Sequence, residues 1–215
     1  MKLEFWLDYL SPVCYKQHKR IEELMFNYKF EDFELLYRSF ELIPDFHIDK
    51  RYSFQQLLKD FHWTSAEDIE KMICEIPDEL AIVNVHDAHR LSHLAKKENL
   101  AFEFNKRLFA AFYEDYKDIS NPNVLKEISL DAGLELSKIQ EVLSTNLYSD
   151  SVLLNRENAI SKGIHKLPHL RIDGKIRLSG YHSEKELISY LIMASAKMTK
   201  NAYCEGENCE RKKAR

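Results

Sequence analysis

The sequence predicts an α/β fold with an all-helical insertion, and three observations carry that reading. A strand–helix–strand pattern opens the chain, and a helix–strand–strand–helix pattern closes it. The roughly hundred residues between them read as helical almost throughout. The expected organisation is a discontinuous α/β domain over 1–48 and 149–200, a helical insertion over 49–148, and a polar tail over 201–215 carrying Cys204 and Cys209. The two ends can share one sheet only if the insertion leaves and returns near the same edge.

Residues 2–9 hold the apolar run Leu3 to Leu7 and read as a buried strand. Ser11-Pro12 then turns the chain, with Pro in the first helical turn, where its missing N–H costs nothing. Residues 13–28 form a helix, with Cys14, His18, Ile21 and Met25 at helical spacing. Residues 30–40 alternate and are rich in aromatics, which predicts a second strand. Helices follow over 83–98, 101–116 and from Asn121-Pro122 to Gly133, then from Ser137 and over 149–163. Asp173-Gly174 between 170–172 and 176–178 is a tight-hairpin signal. The last helix, 183–197, starts on a Ser183/Glu186 capping box.

Composition narrows the function. Of 215 residues, 45% are hydrophobic, enough for a core, and the net charge of −4 disfavours nucleic acid and membrane surfaces as partners. No apolar run reaches bilayer length. The N-terminal stretch carries Glu4 and Asp8 and does not read as a signal peptide, so a cytoplasmic location with reduced cysteines is expected.

The motif with most chemistry is Ser11-Pro12-Val13-Cys14, at a strand-to-helix turn. Unpaired N–H groups and the helix dipole stabilise an anion there, which suits a nucleophile. Ser11 is either a thiolate-binding hydroxyl or a plain helix cap; Cys14 is either a reactive monothiol or a small buried hydrophobe. Cys204 and Cys209 can approach each other if the segment turns at Gly206, and two cysteines in a polar tail have no packing reason to be there. Cys74 reads as core. His86, His89 and His93 share one helix face, but no metal is expected; packing or substrate contact suits His89 better.

Together these segments resemble the DsbA superfamily of thioredoxin-fold proteins, in particular the FrnE-like branch of bacterial oxidoreductases. The resemblance runs from Asp8-Tyr9-Leu10-Ser11-Pro12-Val13-Cys14-Tyr15 through 84–91, 108–113, Gly163-Ile164-His165-Lys166-Leu167-Pro168 and 172–180 to Cys204-Glu205-Gly206-Glu207-Asn208-Cys209. It implies a thioredoxin-like fold and thiol:disulfide oxidoreductase activity, with Ser11, Cys14, Cys204 and Cys209 catalytic and Pro12, His89, Leu167 and Pro168 substrate-binding. It also implies a cis Leu167–Pro168 bond; from the residues alone, Pro168 is as readily a trans proline entering a strand.

Family members carry Cys-Pro-x-Cys, whereas this chain has Ser11 at the attacking position, and a serine hydroxyl cannot exchange with a disulfide. Ser-Pro also resembles a sister branch, the kappa-class glutathione transferases and 2-hydroxychromene-2-carboxylate isomerases, in which a serine at that place holds the glutathione thiolate. Three functions follow: a variant oxidoreductase assisted by the tail pair, a glutathione-dependent transferase or isomerase using Ser11, or a non-catalytic peptide-binding adaptor. Expected partners are thiol or disulfide proteins or glutathione as co-substrate, with no bound cofactor; a homodimer is compatible with the sequence.

Overall fold

The computed structural model describes residues 1–28, 33–46, 53–54 and 80–203. Cys74, Cys204 and Cys209 lie outside the described residues. Four strands are described: β1 Lys2–Leu7, β2 Glu34–Ser39, β3 His169–Ile172 and β4 Ile176–Ser179. With them are seven helices: α1 Pro12–Asn27, α2 His86–Lys97, α3 Ala101–Tyr113, α4 Pro122–Asp131, α5 Leu136–Ser144, α6 Ser149–Ser161 and α7 Glu184–Tyr203.

Both ends of the chain enter one sheet, ordered β2-β1-β3-β4, with β1 parallel to β2 and antiparallel to β3. A parallel β1–β2 pair needs a crossover, and α1 supplies it. Strand alternation divides β1 between two faces. Phe5 meets the Tyr37 ring, which hydrogen-bonds His18 on α1 at 2.9 Å, so this face packs under α1. Glu4 and Trp6 point to the other face. All of Leu3–Leu7 is buried, because helices cover both sides of the sheet.

The β3–β4 turn places Asp173 at φ 47° and Gly174 at φ 69°, two consecutive left-handed residues of the kind a two-residue hairpin needs. The Ser183–Glu186 box forms as expected: Ser183 N–H and hydroxyl both donate to Glu186, at 2.8 and 2.7 Å.

Several boundaries shift. α2 begins at His86 rather than 83, where Asn84 Oδ1 accepts the His86 N–H in a local turn. α3 stops at Tyr113 rather than 116, because Lys117 N–H bonds back to Ala111 and Tyr116 takes φ 52°. α7 runs through 201–203, which the sequence reading assigned to the tail; no Gly or Pro interrupts the helix there. The aromatics of α3 form core, with Phe104, Phe109 and Phe112 all buried.

Candidate functional site

The site is built where β1 ends. Asp8 follows the strand, wholly buried, and its two oxygens organise the turn: Oδ1 accepts Leu10 N–H at 2.6 Å and Oδ2 accepts Leu42 N–H at 2.8 Å. One carboxylate thus ties the β1–α1 connection to the segment after β2. Ser11 is the N-cap of α1, with extended backbone (φ −95°, ψ 107°); its Oγ accepts Cys14 N–H at 3.2 Å, and Pro12 opens the helix.

Cys14 is fully buried. Burial pushes its thiol up to about 12, and the Ser11 hydroxyl and Asp8 backbone, which favour the thiolate, only partly offset this; the Asp8 charge adds to the rise. The helix start is therefore not enough here: at neutral pH Cys14 is a thiol. Next to it in the chain, Tyr15 stacks on Tyr113 at 4.6 Å, with Tyr113 donating to the Tyr9 carbonyl at 3.0 Å. Tyr9 in turn donates to Asn105 at 2.7 Å. Tyr15 donates to Glu114 at 2.5 Å, and burial and the Glu114 carboxylate hold its hydroxyl well above its ordinary range. His18, one turn further along α1, is held down to about 3 by burial, so it stays neutral.

The second part of the site comes from the far end of the chain. Trp6 pairs with His169, so the register sets Pro168 beside the end of β1, at the end of the sheet where Ser11 begins α1. The Leu167–Pro168 bond is cis, Leu167 is buried, and the Pro168 carbonyl accepts Gly180 N–H at 2.8 Å. The turn after β4 also docks on α1: Gln17, fully buried, accepts His182 N–H at 2.7 Å, and Arg20 donates to the Tyr181 hydroxyl at 3.2 Å.

Ser11, Pro12, Cys14, Leu167 and Pro168 thus gather at one end of the sheet. His89 stands behind them rather than on an open wall: it is 1% exposed, packs tilted against the Tyr9 ring with centroids 4.6 Å apart, and holds Nε2 3.6 Å from Asp8. His86 bonds Glu41 at 2.8 Å and His93 bonds Ser39 at 3.1 Å, so the three histidines of α2 turn to separate partners. Sequence reasoning passed over Asp8 as an organiser and the stacking of Tyr15 on Tyr113. An acid directly after the apolar end of a strand, Phe5-Trp6-Leu7, was the available signal for Asp8.

This arrangement of a strand-end turn capped by Ser11 and faced by Pro168 is that of the thioredoxin-like class. The model of the DSBA-like thioredoxin domain matches residues 2–191, and the chain belongs to that family. Among solved structures it is similar to a probable DsbA oxidoreductase from Streptomyces coelicolor, 23% identical, TM-score 0.76, covering 91% of this chain and 90% of that one. A 2-hydroxychromene-2-carboxylate isomerase is 18% identical, TM-score 0.62, covering 96% and 100%. The cytosolic disulfide reductase DsbM from Pseudomonas aeruginosa, solved with GSH, is 12% identical, TM-score 0.60, covering 94% and 100%. Among the described residues, no helix is long and apolar enough to cross a membrane.

Proposed function

We propose that the protein is a glutathione-dependent thiol–disulfide oxidoreductase of the reducing cytoplasm, in which the ligand brings the reacting thiol. The observation that carries this reading is chemical: both motif residues are buried, Ser11 at 2% and Cys14 at 0% exposure, but the Cys14 thiol is pushed up to about 12, while the Ser11 hydroxyl sits at the helix start, where a thiolate brought by a ligand is stabilised. Glutathione docks between Ser11 and Pro168, and the Ser11 hydroxyl donates to its thiolate. That thiolate attacks a substrate disulfide. The S–S bond breaks, a glutathione–substrate mixed disulfide forms, and the departing sulfur leaves as thiolate and takes a proton from water. A second glutathione thiolate then releases the substrate thiol and oxidised glutathione. The GSH in the DsbM structure and the isomerase likeness support a glutathione pocket in this fold. The FrnE-like resemblance supports a second element: Cys204 and Cys209 as an auxiliary pair that exchanges with the mixed disulfide.

The test is glutathione-dependent reduction of hydroxyethyl disulfide by wild type, Ser11→Ala, Cys14→Ser and Cys204→Ser. The expected result is a loss of tenfold or more in Ser11→Ala, on the order of one lost charge-assisted hydrogen bond, with Cys14→Ser retained. A partial loss in Cys204→Ser supports the tail pair. Activity lost in Cys14→Ser and kept in Ser11→Ala overturns the proposal in favour of a monothiol mechanism. A glutathione-dependent isomerase or transferase is told apart by glutathione binding without oxidised glutathione as product.

A further inference from the structure

The opposite face of the sheet carries a cavity that the sulfur chemistry does not use. Register sets Trp6 opposite Arg38 and Glu4 opposite Arg171, so β1, β2 and β3 place these four side chains on one face. α6 lies over them with Asn155, Asn158 and Ala159, and Lys162 follows one turn on, at spacings that share a helix side. Together they line a cavity of about 160 Å³ that opens to solvent. A water takes about 30 Å³ of liquid, so there is room for a tetrahedral oxyanion with its nearest hydration.

The charge in this cavity does not balance. Among the described residues that line it, Glu4, 4% exposed, is the only carboxylate, against Arg38, Arg171 and Lys162. Glu4 Oε1 accepts Arg38 Nε and Nη2 at 3.1 and 2.7 Å; Oε2 accepts Arg171 Nε at 2.5 Å and also its Nη2. Each guanidinium spends one edge on Glu4, and its Nη1 has no partner among the described residues. Arg171 also lies over the Trp6 ring, 5.2 Å from the centroid, which fixes its plane. Lys162 has no ion-pair partner among the described residues, and Arg177 reaches its carbonyl at 2.9 Å, bringing a further cation close by.

Neighbouring groups register the excess. His169, buried beside Trp6, is held down to about 4 by burial and then by Arg177 and Arg171. Lys96 is held below its ordinary value by burial and then by Arg38. A bridge made only to join three strands would need Glu4 and the two arginines. It would need neither the open volume nor the uncompensated Lys162.

We propose that this cavity binds a phosphate group, as free phosphate or as a phosphomonoester, between the two guanidiniums held by Glu4 and the ammonium of Lys162. Guanidiniums with fixed planes suit the oxygens of a phosphate, and the carboxylate pre-sets them so that little order is lost on binding.

The test is calorimetric titration of the full chain with sodium phosphate and, separately, glycerol 2-phosphate at pH 7.5 and constant ionic strength. Wild type, Lys162→Ala and Lys162→Glu are compared, at a surface position whose replacement leaves the core untouched. One saturable site is expected, weakened about fivefold in Lys162→Ala, as for a lost exposed ion pair, and lost in Lys162→Glu. Tighter binding of the ester assigns the site to a phosphorylated metabolite; tighter binding of phosphate assigns it to the free anion. No saturable heat from either compound, or equal affinity in all three proteins, overturns the proposal.

Discussion

The two faces of β1 solve opposite problems with the same strand. Toward α1, Tyr37, Phe102 and Phe109 enclose His18 in a dry setting. Toward α6, Glu4 and Trp6 sit among arginines. On the dry face ionisation is suppressed, as in the thiol of Cys14 and the imidazole of His18. On the charged face Glu4 is ionised: burial raises its carboxyl, but Arg38 and Arg171 together outweigh that and hold it below its ordinary value. The comparison teaches that burial alone does not fix a protonation state; the partner across the pleat does.

Acid should break both faces, and this is the largest expected effect. His18 and His169 are each about 1–4% exposed and are held down, to about 3 and about 4. A histidine with a depressed folded value lends stability that is present above its unfolded value, near 6.5, and lost as pH falls towards the folded one. Each therefore removes up to about 1.4 kcal/mol per pH unit below 6.5. Glu4 adds a loss of the same sign below about 4.5, as its carboxyl protonates. Urea unfolding between pH 7 and 4 measures the slope. His18→Gln should flatten it by about one proton; an unchanged slope would show that His18 does not titrate with unfolding.

Next in size is Glu4→Gln. It leaves two guanidiniums on the charged face without their carboxylate and should cost about 3–5 kcal/mol, read from the urea midpoint at pH 7. A double variant, Glu4→Gln with Arg171→Met, should recover part of the loss, because it removes one of the stranded charges.

Much of the α1 side was legible from the chain, because its signals are local. Ser11-Pro12 marked a helix start, Asp173-Gly174 a hairpin, and Ser183 with Glu186 a cap, and each lies within a few residues of what it determines. The charged side was not legible. Glu4 meets Arg38 across 34 positions and Arg171 across 167, and nothing in an alternating strand says which distant cation will stand opposite. The state of Cys14 was hidden for the same reason. The helix start argued for a low thiol value, and burial by the folded chain, which no local signal announces, reversed it. His89 sat in a motif that suggested substrate contact, yet the fold turned it inward onto Tyr9. Helix propensity also outran composition at the end, carrying α7 into residues that look like tail.

Cys14 sharpens the comparison from the dry side. With the thiol near 12 against an ordinary 9, native protein should resist iodoacetamide at Cys14 up to about pH 10, while urea-unfolded protein reacts as the pH approaches 9. The sign runs opposite to the histidines. Between about 9 and 12 the unfolded thiol ionises and the folded one does not, so stability falls as pH rises, by up to about 1.4 kcal/mol per unit. Fast native alkylation at pH 8, mapped to Cys14 by peptide mass spectrometry, would show a thiol more open than its burial indicates.

The smallest expected effect on stability falls at Ser11, which is also where the largest effect on activity is expected. Ser11→Ala removes the acceptor for Cys14 N–H and should cost about 1 kcal/mol, the usual value of a lost N-cap. Ser11→Asp keeps an acceptor at the cap and favours the dipole, so its stability should stay close to wild type. Its carboxylate would nonetheless repel a thiolate brought to the helix start. If both variants lose glutathione-dependent turnover while only Ser11→Ala loses stability, capping and thiolate binding are separate duties of one hydroxyl. If Ser11→Asp keeps full turnover, the cap is the whole of its contribution, and the sulfur must be held elsewhere.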